Sequence, residues 1–138
     1  MKRVFLDTNI LLDYGLDREF ADYAESILEL GISGYIEVFA SYLSFANMGY
    51  ILRHHPADEI YTLIRMMREP VGVLPCDAIQ LDSGLKSEAS DFEDMLQYQC
   101  AKAAGCDVIV TNNKRDFHAF SELPIVTAEE FLLQFDYK

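Results

Sequence analysis

Asp7 stands in the stretch VFLDTNILLD, between the apolar runs Val4–Leu6 and Ile10–Leu12. An unpartnered carboxylate is costly to bury in such surroundings. Asp7, Thr8 or Asn9 could cap a helix starting there. Alternatively, Asp7 ends a central strand, at the edge where open α/β sheets bind ligands. Further acids follow. Asp91 and Asp94 in SDFEDM share one helix face at i and i+3. Asp116 lies just beyond the run that closes on Thr111-Asn112-Asn113. Asn47 is a poor helix former among Phe45, Ala46, Met48 and Tyr50, with Ser44 on the same face. Alone it reads as a satisfied core amide. Grouped with Asp7, Asp91, Asp94 and Asp116, it joins a set of oxygen donors of the kind hard divalent cations require. With no His or Cys among them, Mg²⁺ or Mn²⁺ is expected rather than zinc.

Composition sets the frame for that chemistry. The 138 residues are 51% hydrophobic and 25% charged, so one globular domain, 1–138, with a real core is expected. No apolar run approaches the roughly 20 residues that span a bilayer. The first segment, interrupted by Asp7 and Asn9, does not read as a signal peptide. Cys76, Cys100 and Cys106 form no C-x-x-C pair. They are therefore expected to be small buried hydrophobes in a reducing, cytoplasmic setting, without a disulfide framework. The net charge of −12 should repel nucleic acid overall. A polyphosphate partner would need a divalent cation or a local basic patch, for which Arg53, His54, His55, Lys114 and Arg115 are the candidates.

The elements that must position these groups alternate. Strands are expected at Arg3–Leu6, Tyr35–Phe39, Val71–Leu74, Asp107–Val110 and Pro124–Val126. Between them, Asp17 caps a helix over Arg18–Leu30 that Gly31 and Gly34 stop, and Ser41 or Ser44 opens one running through Arg53. Pro56 suits the first turn of a helix ending before Pro70, and Asp77–Leu85 ends near Gly84. Ser90 and Glu93 form a capping box for a helix stopped by Gly105, with Phe92, Met95, Leu96, Cys100 and Ala103 as its buried stripe. A helical turn lies at Arg115–Phe120. Thr127 and Glu130 cap the last helix. This alternation implies a parallel sheet covered on both faces, a three-layer α/β/α architecture. All carboxyl strand ends then share one edge, and Asp7, Thr111 and Asn112 lie on it.

The ordered set of motifs resembles the PIN domain, the nuclease fold of VapC-like toxins, over nearly the whole chain. The pieces are VFLDTNILLD at Val4–Asp13, the serine–asparagine spacing Ser41–Asn47, DFED at Asp91–Asp94 and TNNKRDF at Thr111–Phe117. The resemblance implies a central five-stranded parallel sheet, a metal-dependent endoribonuclease and frequent homodimers. It also implies that Asp7, Asp94 and Asp116 are the catalytic, metal-holding acids, with Asp91 and Asn47 beside them. Thr111, Asn112, Lys114, Arg115 and Arg53 are expected to meet the RNA. Most catalytic members carry Glu where this chain has Asn47; an amide oxygen can still ligate a metal, but the site loses a charge. A partner antitoxin and the toxin role follow from the same likeness. The competing reading is a catalytically weak or inactive binding module of this fold. Phosphatases of the haloacid dehalogenase type need a second Asp where Asn9 stands. Response-regulator receivers need an acidic pair earlier in the chain. Neither explains DFED or TNNKRDF.

Overall fold

Val4, Phe5 and Leu6 have no exposed surface, because β1 (Lys2–Leu6) is the middle strand of five and is covered on both faces. The computed structural model describes residues 1–136, apart from the side chain of Asp116. The other strands are β2 (Ile36–Ser41), β3 (Gly72–Leu74), β4 (Val108–Val110) and β5 (Ile125–Val126). They run in the order β3-β2-β1-β4-β5, every neighbouring pair parallel. Val4 lies opposite Val38 on one side and Val108 on the other, and Leu6 opposite Val110.

Strand alternation divides the core. Val4 and Leu6 face a cluster built with α1 (Thr8–Gly15), α2 (Ala21–Ile32), α3 (Tyr42–Ile51), α4 (Ala57–Arg68) and α8 (Ala128–Gln134). Ile10, Leu11, Ile27, Met48, Met67 and Phe131 are members of it. Phe5 and Ile109 face the opposite cluster, with Met95, Tyr98 and Ala101 of α6 (Phe92–Ala103) and Phe117 of α7 (Arg115–His118). Each fully buried Phe or Leu contributes roughly 1.5–3 kcal/mol through apolar burial. The fold is thus the expected five-stranded parallel α/β sandwich. Among the described residues, no helix is long and apolar enough to cross a membrane.

Several local expectations are corrected. Asp17 does not cap a helix: it sits in a turn at φ 51°, and α2 starts later, at Ala21, with no side-chain cap. Gly31 lies within α2, and the chain turns at Gly34, at φ 85°. Gly84 does not stop α5 (Ala78–Ser87). It is buried inside it, where an added Cβ would meet Leu96 Cδ2 at 3.0 Å, so its lack of a side chain lets α6 approach. The cap of α6 is Asp91, not Ser90, and its carboxylate accepts from the Asp94 N–H at 2.9 Å. The buried face of α6 accordingly runs through Asp94, Met95, Gln97, Tyr98, Cys100 and Ala101, while Phe92 and Ala103 are exposed. Cys76 and Cys100 are bonded to each other rather than free, with Cα atoms 5.9 Å apart, because the loop after β3 returns against α6. Cys106 alone is a free, buried thiol. Ser41 and the Thr127–Glu130 box do cap α3 and α8, and Asp77, expected as the first helical residue, is instead the cap of α5.

Candidate active site

β2 and β3 extend the sheet to one side of β1, β4 and β5 to the other, so the strand order switches direction between β1 and β4. A crevice opens beyond the carboxyl ends of strands at such a point. Asp7 follows β1 and Thr111 follows β4, and the two meet there. Thr111 is wholly buried, and its hydroxyl donates to Asp7 Oδ2 at 2.9 Å. The other carboxylate oxygen accepts from the Thr8 N–H at 2.8 Å, capping α1. Asp7 is 5% exposed, and this pair of bonds offsets part of its burial cost. Capping and site-edge placement are therefore one arrangement.

α6 brings the second group. Asp7, Thr8, Asn9, Ile51, Asp91, Glu93, Asp94 and Asn113 line one cavity of about 200 Å³. Among the described residues, the carboxylates of Asp7, Asp91, Glu93 and Asp94 are its titratable lining. Asp94 is 9% exposed, while Asp91 is half-buried. Glu93, which reads in the sequence only as a capping partner, holds its proton more tightly than an ordinary glutamate. Burial is the main cause, the negative charges of Asp7 and Asp91 add to it, and a hydrogen bond from Asn47 works against it. That bond, Asn47 Nδ2 to Glu93 Oε1 at 2.7 Å, turns the Asn47 amide toward a carboxylate of the cavity wall. Asn47 is not itself in the lining.

Behind the cavity lies a buried polar layer. Gln97, one turn after Asp94, has no exposed surface. Its Nε2 donates to Ser44 Oγ at 2.9 Å and Thr8 Oγ1 at 3.3 Å, and its Oε1 accepts from Ser41 Oγ at 2.5 Å. Thr8 Oγ1 and Ser44 Oγ are 2.8 Å apart, also hydrogen-bonded. A polar residue in the buried register of α6 was the signal available for Gln97. On the other flank, buried Asp13 accepts from Asn112 Nδ2 at 2.7 Å and pairs with Arg18 at 3.8 Å. Burial nevertheless raises its pKa above the usual aspartate range, against the lowering effects of Arg18 and Asn112.

The remaining expected residues divide. The wholly buried Thr111 hydroxyl is spent on Asp7, while Asn112, an exposed residue, donates to Asp13. Lys114 Nζ is bonded to both Glu130 oxygens at 3.0 and 3.2 Å. Arg115 is exposed, and Arg53 lies over the Tyr50 ring at 4.0 Å while donating to the Tyr50 carbonyl. The backbone of Asp116 is in α7; its side chain lies outside the described residues. Among the described residues, no three His, Cys, Asp or Glu side chains converge into a ready-made metal cluster. In donor chemistry the cavity still fits a hard divalent cation, since its acidic groups are all carboxylates and one of them, Asp7, is held by hydrogen bonds.

Known proteins carry the same outline. The chain is 25% identical over 137 residues to a protein named Ribonuclease VapC1 from Aquifex aeolicus, covering 94% of this chain and 93% of that one. Its fold is similar to the DNA-bound VapBC structure from Salmonella typhimurium, with a TM-score of 0.74, 20% identity, and 93% and 99% of the two chains covered. It is also similar to VapBC2 from Rickettsia felis bound to a promoter DNA fragment, with a TM-score of 0.71, 17% identity, and coverage of 89% and 96%. The PIN domain family model matches residues 3–115, a span that contains both strand ends at the switch point and all of α6. With that match over most of its length, the chain belongs to the PIN domain family.

Proposed function

We propose that this protein is a metal-dependent endoribonuclease, hydrolysing RNA phosphodiester bonds as the toxin of a toxin–antitoxin pair in the cytoplasm. The observation that carries this reading is that Asp7, Asp91, Glu93 and Asp94 line one cavity at the switch point of a PIN domain. The name of the Aquifex relative, a ribonuclease, supports the substrate class. The VapBC complexes among the fold neighbours support an antitoxin partner. A second copy of the chain is the other partner proposed.

In this reading Asp7, Asp94 and Asp116 hold Mg²⁺ or Mn²⁺, with Asp91 beside them and Asn47 acting through Glu93. Bound there, the ion offsets the acidic charge and supplies Lewis acidity toward the phosphodiester. The chain's own groups do the rest. Thr8 and Thr111 fix the Asp7 carboxylate. Glu93 lines the same cavity and accepts from Asn47 Nδ2, which places a carboxylate where it can take a proton from the attacking water. Arg53 and Arg115, both exposed, meet the RNA backbone. Lys114 joins them only by leaving Glu130. The test is cleavage of an end-labelled RNA by the purified protein in Mn²⁺ or Mg²⁺ and in chelator. Cleavage confined to the metal-containing reactions is the expected result, and full cleavage in chelator would refute the metal role.

A further inference from the structure

The polar layer under the cavity has more order than packing requires. Gln97 is fully buried and bonded to three hydroxyls that belong to different elements. Thr8 is the first residue of α1 and follows Asp7 directly. Ser41 ends β2 and caps α3, and Ser44 lies in the first turn of that helix. Gln97 itself shares a face of α6 with Asp94. Among the described residues, no buried side-chain nitrogen or oxygen lacks a partner, so the network is closed. An apolar side chain in this position would fill the space but tolerate a slide or rotation of α6. The amide does not, since either movement would break bonds to groups in a medium that cannot replace them.

We infer that Gln97 is a positioning residue of the active site, pinning α6 against the β1–α1 and β2–α3 junctions and so fixing Asp94 relative to Asp7. This rests on the metal-dependent reading above. It has a clear energetic logic. The acids facing the cavity repel one another, and a helix carrying Asp91, Glu93 and Asp94 relaxes outward unless something holds it. The Cys76–Cys100 disulfide ties α6 to the loop after β3, but it does not reach the β1–α1 junction that carries Asp7. Gln97 lies one turn from Asp94 and faces the junction that carries Asp7, so it opposes that movement where it matters.

The experiment compares the parent with Gln97→Met, similar in volume but unable to make these bonds. Mn²⁺ binding is measured by calorimetry, kcat and KM on a fixed RNA by initial rates, and folding by circular dichroism in chelator. Groups that orient metal-holding residues typically account for 10–100-fold in affinity or rate. The expected result is a folded variant with Mn²⁺ affinity reduced at least about tenfold, kcat reduced similarly and KM for RNA unchanged. If Gln97→Met unfolds, Thr8→Val/Ser44→Ala/Gln97→Met takes its place. That triple variant removes two of the hydroxyls orphaned by loss of the amide, and it should regain stability without regaining Mn²⁺ affinity. A folded variant, single or triple, with parental Mn²⁺ affinity and kcat overturns the inference and leaves Gln97 a structural amide. A parent that itself neither binds Mn²⁺ nor cleaves RNA overturns the metal-dependent reading, and this inference with it.

Discussion

Thr111→Val exchanges a hydroxyl for a methyl group of nearly the same shape at a position with no exposed surface. The change deletes the 2.9 Å bond to Asp7 Oδ2 and the acceptor of the Asn113 N–H at 3.0 Å. A hydrogen bond to an ionised group contributes about 1.5–3 kcal/mol, and a neutral one about 1 kcal/mol. Asn113 is solvent-accessible, so water replaces most of its loss, whereas Asp7 is 5% exposed and has little water to turn to. The expected cost in chelator at neutral pH is therefore about 2 kcal/mol, or roughly 8 °C in Tm for a chain of this length. Urea and thermal melts of four proteins measure it: parent, Thr111→Val, Asp7→Ala and the double variant. Without its partner the hydroxyl has little left to lose, so Thr111→Val in the Asp7→Ala background should cost less than about 0.5 kcal/mol. Equal costs in both backgrounds, or a cost below that figure in the parent, would refute the claim that Thr111 holds Asp7.

Other outcomes follow from the same geometry. Glu93 has a folded pKa raised above its unfolded value, so its stabilising contribution is full below the ordinary glutamate range and is lost as pH rises through the raised value. In chelator, Glu93→Gln should thus gain on the parent in Tm as pH increases from 4 to 7; parallel curves would show that folding does not raise the Glu93 pKa. Saturating Mn²⁺ at about 100 times Kd should stabilise the parent by about 2.7 kcal/mol, and folded Asp94→Asn by much less; an equal rise in both would remove Asp94 from the site. Burial pushes the Cys106 thiol up to about 11, so native protein at pH 7 should resist maleimide, while unfolded, unreduced protein should take up one equivalent at Cys106. Rapid labelling of the native protein at Cys106 would contradict its burial.

The two-sided sheet was legible because fully buried strands read as short apolar runs and helices as capped periodic segments. Asp7 was legible for a related reason: a carboxylate between two apolar runs needs a structural excuse. Positions set by tertiary contact were less so. Glu93 looked like half of a capping box with Ser90, but the shift of the cap to Asp91 leaves its carboxylate free to meet Asn47 across α3 and α6. The i, i+3 spacing of Asp91 and Asp94 gave their common face but not that one would cap the helix. Cys76 and Cys100 show the same limit, since nothing local says that the loop after β3 returns to α6. Thr111 and Asn112 follow β4 at the carboxyl edge of the sheet, and their side-chain partners are Asp7 and Asp13 of the protein's own chain. A strand end places a residue at the crevice; only packing decides which way it faces.

The most direct test of the central claim is cleavage of one RNA by the parent and by a folded Asp7→Asn variant, side by side in the same Mn²⁺ buffer. This substitution keeps the size of the side chain and removes the charge at the switch point. The account predicts metal-dependent cleavage by the parent and loss of at least about two orders of magnitude in the variant, in line with removing a principal electrostatic group from a catalytic centre. Cleavage by Asp7→Asn at the parental rate, or no cleavage of any RNA by a parent that binds Mn²⁺, would contradict it.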